Sequence, residues 1–229
     1  MHRADQFVFV HMFRMGGTTC MEQVNVTDIG YHLPYSMLPA QLSYLPVIGT
    51  IRNPFDWYVS VYQHCKNTAP HMQTGTFLNF MMDFKHSTME DTLRRLIDPS
   101  WMKQKDIDNA LQHFPSFYNY DDSKLDNLRK AEFLGYIKSG KGFLSWLFDY
   151  MFAINGSVEH MKFCKLEDLA RDFKRHTNLD ISSSLHLNSF DDAPGCGDIL
   201  SGELKELIQN KDGDYIKQYY SELLGNKVI

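Results

Sequence analysis

The chain has 229 residues, which suits a single domain, and 43% of them are hydrophobic while 22% are charged. This balance is typical of a globular protein and excludes a disordered tail, a collagen and a coiled coil. The formal net charge of −5 disfavours a general nucleic-acid-binding protein, although a few arginines suffice to bind one phosphate. No apolar run approaches the roughly 18 residues of a membrane span or forms a signal-peptide core, so we expect a cytoplasmic protein.

The sequence gives no sign of a metal site. The four cysteines are scattered and lack a C-x-x-C pair, which disfavours both a zinc site and a disulfide framework. The histidines show no ligand spacing, and most of them, including His2, are expected on the surface. His11, at the end of the first predicted strand, is expected to be structural.

Hydrophobic patterning predicts three repeats of strand, loop and helix. Short apolar runs predict buried strands at residues 7–10, 45–51 and 161–166. One helix is predicted to end near residue 26, and others to span residues 54–65, 77–84, 89–97, 141–154, 167–177, 203–208 and 215–224. The alternation predicts one α/β domain over residues 1–229, with a central parallel sheet flanked by helices. In such sheets, ligands bind at the carboxyl ends of the strands.

The loop after the first strand has the composition of a phosphate cradle. Glycines let backbone N–H groups approach an anion, the following helix adds its positive end, and arginine and threonine add a charge and hydroxyl donors. A Walker A loop is absent, and a tight strand-to-helix turn would also use two glycines. The residues concerned are Arg14, Met15, Gly16, Gly17, Thr18 and Thr19.

The loop after the second strand offers a second anion-binding arrangement. Arg52 ends an apolar strand, where a charged residue must face solvent or a ligand. Ser60 lies about two turns into the helix that Pro54 is well placed to open, so both side chains could bind one phosphate. A capped helix beside an exposed arginine would produce the same local pattern.

Together the two loops resemble the sulfotransferases that use 3′-phosphoadenosine 5′-phosphosulfate (PAPS). The first loop is similar to their 5′-phosphosulfate loop, with Arg14 where many members carry lysine. The second is similar to their 3′-phosphate motif, R-N-P-x-D-x-x-x-S-x-Y. All six stated positions of that motif are met, by Arg52, Asn53, Pro54, Asp56, Ser60 and Tyr62.

Two further segments extend the resemblance. Residues 31–39 are similar to the T-H-L-P-F-x-x-L-P segment of cytosolic sulfotransferases, whose histidine is the catalytic base and matches His32. Residues 165–169 are similar to a later Y-E-D-L segment, but Leu166 replaces the tyrosine that often lies against adenine. The R-K-G loop of cytosolic members is missing, and residues 195–198 are at most a remnant of it.

The resemblance implies a P-loop-like nucleotide-binding fold and transfer of a sulfuryl group from PAPS to a hydroxyl acceptor, with PAP as product. It implies that His32 is the general base, that Arg14 stabilises the leaving group, and that no metal is needed. Glu22 is a second candidate for the base, since heparan-type members place a glutamate at this spacing. The donor would be held by residues 14–19, Arg52 and Ser60.

The acceptor and two rival functions stay open at this stage. Residues 71–120 are rich in methionine and aromatic side chains, which suit either an apolar acceptor pocket or ordinary helical core. A small molecule, a saccharide or a lipid could carry the hydroxyl group, and so could a peptide tyrosine. A P-loop nucleotide kinase and a catalytically inactive PAP-binding module are the alternatives to a sulfotransferase.

Overall fold

The computed structural model describes residues 1–30, 32–68, 88–114, 128–182 and 196–224. These residues divide into two compact units. The first unit contains the described residues up to 52 and residues 148–182; the second contains the described residues of 53–114, 128–147 and 196–224. The single domain over residues 1–229 stays a prediction, and the helix predicted at 77–84 lies outside the described residues.

A five-stranded sheet is the framework of the first unit. Its strands are β1 (His2–Arg3), β2 (Val8–Val10), β3 (Thr27–Asp28), β4 (Val47–Ile51) and β5 (Met161–Lys165). They lie in the order β3-β1-β2-β4-β5, in which β2, β4 and β5 are parallel while β1 is antiparallel to both of its neighbours. The α/β class with a central parallel sheet is thus confirmed, and the two short antiparallel strands are additions that the sequence did not predict.

The helices of the described residues follow the predicted order, with two additions. They are α1 (Gly17–Gln23), α2 (Pro54–Thr68), α3 (Met89–Ile97), α4 (Gln104–His113), α5 (Lys130–Ser139), α6 (Phe143–Phe152), α7 (Leu169–Thr177), α8 (Gly202–Lys211) and α9 (Gly213–Tyr219). The bounds of α3 are those predicted, whereas α4 and α5 were not predicted. A short 3₁₀ turn, Leu166–Asp168, precedes α7. No helix in this part of the chain combines the length and apolar character needed to cross a membrane.

The sheet of the first unit is covered on both faces. On one face, Phe9 and Ile48 pack with Cys20 of α1 and Phe173 of α7 in a buried cluster. On the other face, Phe163 of β5 packs against aromatic rings from the end of α6, Phe148 and Phe152. A strand that is buried on both sides needs apolar residues at successive positions, which explains the continuous apolar runs of β2 and β4.

A buried carboxylate, Asp212, joins three helical segments of the second unit. It accepts hydrogen bonds from the Tyr58 hydroxyl and from the backbone N–H of Ser145, both at 2.8 Å. The same hydroxyl accepts a hydrogen bond from the N–H of Leu144, so two donors of the first turn of α6 are satisfied. Burial raises the pKa of Asp212 to about 6. Trp57 and Tyr58 are fully buried.

Candidate active site

The loop after β2 makes a tight turn into α1. Arg14 has φ 60° and Gly16 has φ 79°, so both lie in the left-handed region. That conformation costs a non-glycine residue about 1–2 kcal/mol, and such strain clusters at functional sites. Turns that contain left-handed residues can direct successive backbone N–H groups towards one anion. The loop therefore has left-handed residues at two of its positions, as anion-binding turns do.

Two side chains, the buried His11 and the partly buried Leu166, lie against this loop and explain its glycines. A Cβ on Gly16 would lie 2.5 Å from Cδ1 of Leu166, and one on Gly17 would lie 2.2 Å from Nδ1 of His11. No larger residue fits at either position without displacing its neighbour. Leu166 thus lies directly against the loop at Gly16.

Arg52 connects the two sequence motifs. It follows β4, the parallel neighbour of β2, so the loops after both strands leave the same edge of the sheet. The guanidinium Nη1 donates a hydrogen bond of 3.3 Å to the carbonyl oxygen of Arg14. Arg52 is only 4% exposed, whereas Arg14 is partly exposed. A permanent cation buried beside the loop favours an anionic ligand.

His32 is buried and is hydrogen-bonded to the start of the same loop. Its Nδ1 lies 3.1 Å from the carbonyl oxygen of His11. Because a carbonyl oxygen only accepts hydrogen bonds, Nδ1 carries the hydrogen and Nε2 is the acceptor nitrogen of the neutral ring. Burial lowers the pKa of His32 to about 3, so the imidazole is neutral at physiological pH. A neutral imidazole whose Nε2 is the acceptor nitrogen is the form that a general base requires.

His32 belongs to a cluster of three buried histidines. His11 stacks on His2, with their Nε2 atoms 3.1 Å apart, and meets the His32 ring edge-on at 4.6 Å between centroids. His2 also lies 3.9 Å from the exposed carboxylate of Asp28. Burial lowers the pKa of His2 to about 4 and that of His11 well below 6.5. All three rings are therefore neutral.

The surface position predicted for His2 is wrong, because His2 is only 3% exposed. The unpredicted strand β1 pairs with β2 and places His2 opposite Phe9, inside the sheet. A two-residue strand has no periodicity that could have revealed this pairing. The structural role expected for His11 is consistent with its burial.

Residues 21–126 match the family model of the sulfotransferase domain. Over this range, which is somewhat less than half of its length, the chain is similar to the sulfotransferase domain. The matched range includes His32, Arg52 and Ser60 but begins after the phosphate loop. The match supports sulfuryl transfer in general, from a donor that is PAPS in most of this family, to an acceptor that bears a hydroxyl group. No curated protein and no solved structure gave a significant match.

Asn53 and Asp56 of the R-N-P-x-D segment also stabilise the local structure of the second unit. The Asn53 side chain accepts a hydrogen bond from the N–H of Phe55 at 2.9 Å and so caps the start of α2. The buried carboxylate of Asp56 accepts a hydrogen bond of 2.6 Å from the N–H of Gly197. A Cβ on Gly197 would lie 2.5 Å from Cβ of Phe55, so this glycine packs directly on the helix start. Asp56 thereby holds the 3₁₀ turn Cys196–Ile199 against α2.

The remaining predicted site residues are placed as follows. Thr18 is half-buried, while Thr19 and Met15 are buried, so Met15 can offer a ligand only its backbone. Glu22 lies on the exposed side of α1. Ser60 is fully buried on α2 and belongs to the second unit.

Neither a metal site nor the acceptor region is defined by the structure. In the described ranges, no group of three or more potential ligands is arranged to hold a metal ion. Independence of metals stays a prediction. Most of the aromatic and methionine residues between 71 and 120 lie outside the described residues, although Trp101 is exposed and Phe114 is buried.

Proposed function

We propose that this protein transfers the sulfuryl group of PAPS to a hydroxyl acceptor and releases PAP. The observation that carries the proposal is the arrangement around the loop after β2. There, the buried cation of Arg52 binds the Arg14 carbonyl, and the neutral ring of His32 binds the His11 carbonyl. An anion site and a general base thus meet on one short segment of backbone.

The donor fits the groups that this segment offers. PAPS supplies an activated sulfuryl group and carries phosphates at two positions of its ribose. We assign the 5′ side to the backbone of residues 15–17, the hydroxyls of Thr18 and Thr19, and Arg14. We assign the 3′-phosphate to Arg52 and, from the sequence motif, to Ser60. Charged hydrogen bonds of this kind contribute about 1.5–3 kcal/mol each.

His32 and Arg14 have different tasks in the transfer. His32 accepts the proton of the acceptor hydroxyl at Nε2 while Nδ1 keeps its hydrogen bond to the His11 carbonyl. Its low pKa in the free protein makes it a weak base, so the anionic donor must stabilise the imidazolium that forms. Arg14 cannot release a proton and therefore acts by its charge on the leaving oxygen.

Calorimetric titration tests the donor assignment. The full chain is titrated with PAP, with AMP, and with ATP plus Mg²⁺ in one buffer. We expect PAP to bind much more tightly than AMP, because only PAP has a 3′-phosphate. A preference for ATP with Mg²⁺ would favour the kinase alternative, and no binding of any nucleotide would refute the proposal.

A pair of arginine variants shows whether Arg52 provides that recognition. Arg52→Ala should weaken PAP binding about 10- to 100-fold, with little effect on AMP. The matched control is Arg175→Ala, which removes an exposed arginine of α7. Release of PAP from PAPS in the presence of a panel of alcohols, phenols, saccharides and lipids then tests turnover. Tight PAP binding without turnover on the whole panel would favour an inactive binding module.

A further inference from the structure

His11 lies between the phosphate loop and His32 and contacts both. Its ring is buried, and a Cβ on Gly17 would lie 2.2 Å from its Nδ1, so the glycine is what lets the ring lie against the loop. The other side of the ring meets the His32 ring edge-on. The backbone of His11 accepts the hydrogen bond from Nδ1 of His32. One residue therefore touches the anion-binding turn and the proposed base.

The hydrogen bonds of the cluster define which nitrogen of each ring carries hydrogen. Nδ1 of His11 faces the Met12 carbonyl at 3.4 Å, so Nδ1 is the donor and Nε2 accepts from Nε2 of His2. In His32 the His11 carbonyl likewise selects the tautomer with hydrogen on Nδ1. In the opposite tautomer, Nδ1 of His32 and the His11 carbonyl oxygen would be two acceptors facing each other at 3.1 Å in a buried environment, which is unfavourable.

We propose that His11 is a positioning residue for His32. Its carbonyl oxygen selects the tautomer in which Nε2 accepts, and its ring holds His32 at a fixed place relative to the phosphate loop. The inference rests on the proposed function only for the role of His32 as base. A shift of about 1 Å in a reacting group can lower a rate about 100-fold, so such a support has catalytic consequences.

Two substitutions separate the effect of the His11 ring's shape from the effect of its nitrogen atoms. His11→Ala removes the ring and leaves a cavity between Gly17 and His32. His11→Phe keeps a planar ring of similar shape, so it should preserve the contact while removing the ring nitrogens. Phenylalanine is therefore the conservative variant, and it also keeps the variant series informative if the alanine protein folds poorly.

The first readout is the tautomer of His32, measured by long-range ¹H–¹⁵N spectra of the full chain with ¹⁵N-labelled histidine at pH 7.5. The signal is assigned with His32→Gln. We expect hydrogen on Nδ1 in the wild type and in His11→Phe. In His11→Ala the backbone carbonyl remains, but without the ring the His32 imidazole can turn away from it, so we expect a mixture of both tautomers. An unchanged tautomer in His11→Ala would overturn the inference, because the ring would then have no influence on His32.

The second readout is steady-state kinetics with PAPS and an acceptor found in the panel. His11→Ala should lower kcat about 10-fold or more and change the KM for PAPS by less than about 3-fold, whereas His11→Phe should recover kcat to within about 3-fold of wild type. Equal losses of kcat and of PAP affinity in both variants would assign His11 to nucleotide binding or folding instead.

Gly17→Ala disturbs the contact between the loop and the His11 ring by changing the loop residue instead of the histidine. The new Cβ would collide with the His11 ring, so His32 should show mixed tautomers in this variant as well. In the His11→Ala background the collision is absent, and Gly17→Ala should add no further change in tautomer. Gly202→Ala is the matched control, because a Cβ there meets nothing within 4 Å. Additive effects of Gly17→Ala and His11→Ala would contradict the proposed contact.

Failure of the inference and failure of the proposed function give different results. If the wild type neither binds PAP nor releases it from PAPS, but His11→Ala alters the His32 tautomer, the positioning role stands and the sulfotransferase proposal fails. If the wild type turns over PAPS and His11→Ala keeps both tautomer and kcat, the function stands and the positioning role fails.

Discussion

The buried histidine cluster should make the stability of the protein fall steeply between pH 7 and pH 5. Burial lowers the pKa of His32 to about 3, that of His2 to about 4 and that of His11 well below 6.5. An imidazole that is neutral when folded but binds a proton when unfolded favours unfolding at low pH. Its stabilisation is therefore complete above pH 6.5 and is lost as the pH falls towards the folded-state pKa.

The loss at pH 5 is determined by the unfolded chain, because the folded cluster remains neutral there. Protonation at pH 5 lowers the free energy of an unfolded histidine, whose pKa is about 6.5, by about 2 kcal/mol. His2, His11 and His32 then each cost about 2 kcal/mol. The raised pKa of Asp212 acts in the opposite direction and offsets about 1 kcal/mol. The net loss from these four groups is about 5 kcal/mol, which approaches the whole stability of many domains.

Urea unfolding at pH 7, 6 and 5, followed by tryptophan fluorescence, measures this loss. His11→Phe should reduce the difference between pH 7 and pH 5 by about 2 kcal/mol, whatever its effect on stability at pH 7. His160→Gln is the control, since His160 is exposed, and it should keep the wild-type pH dependence. If His11→Phe showed the same pH dependence as the wild type, the argument from a buried neutral cluster would be refuted.

Three further predictions concern the site and the second unit. Arg14→Ala should lower kcat about 100-fold or more in steady-state assays with PAPS, and near-normal turnover would remove Arg14 from catalysis. His32→Ala should lower kcat by about 10²–10⁴-fold with little change in calorimetric PAP affinity, whereas Glu22→Gln should change kcat by less than about 3-fold; the reverse order would make Glu22 the base. Tyr58→Phe removes a buried hydroxyl that both donates and accepts hydrogen bonds, so urea unfolding should show a loss of about 1–3 kcal/mol. The exposed Tyr44→Phe is its control, and equal stability of the two variants would contradict the role of the hydroxyl.

Local sequence patterns predicted the parallel strands and most of the helices well. The apolar runs of β2 and β4 were recognisable because both faces of these strands are buried, whereas β5 is only partly buried. The helix Met89–Ile97 was predicted with its observed bounds, and the Thr88 side chain caps it by accepting from the N–H of Asp91. By contrast, β1 and β3 have two residues each, too few for any periodicity to appear.

The phosphate loop and Arg52 could be found from sequence because their residue types reflect local backbone demands. Gly16 adopts a left-handed conformation, and the cation of Arg52 ends a strand that is otherwise apolar. The function of Leu166 could not be read in this way. Its contact with Gly16 spans 150 positions of the chain and depends on where β5 joins the sheet.

The fold class and the two loops predicted to bind anions could be inferred from the sequence alone, because they depend on short-range chemistry: hydrophobic period, turn residues, and charged side chains at strand ends. The choice of His32 as the candidate base followed instead from the resemblance to sulfotransferases. The burial of His2, His11 and His32 in one cluster, and the contact of the His11 carbonyl with Nδ1 of His32, became visible only in the folded chain. The physical reason is that strand pairing brings distant residues together, and burial then sets their protonation through desolvation, which no local pattern encodes.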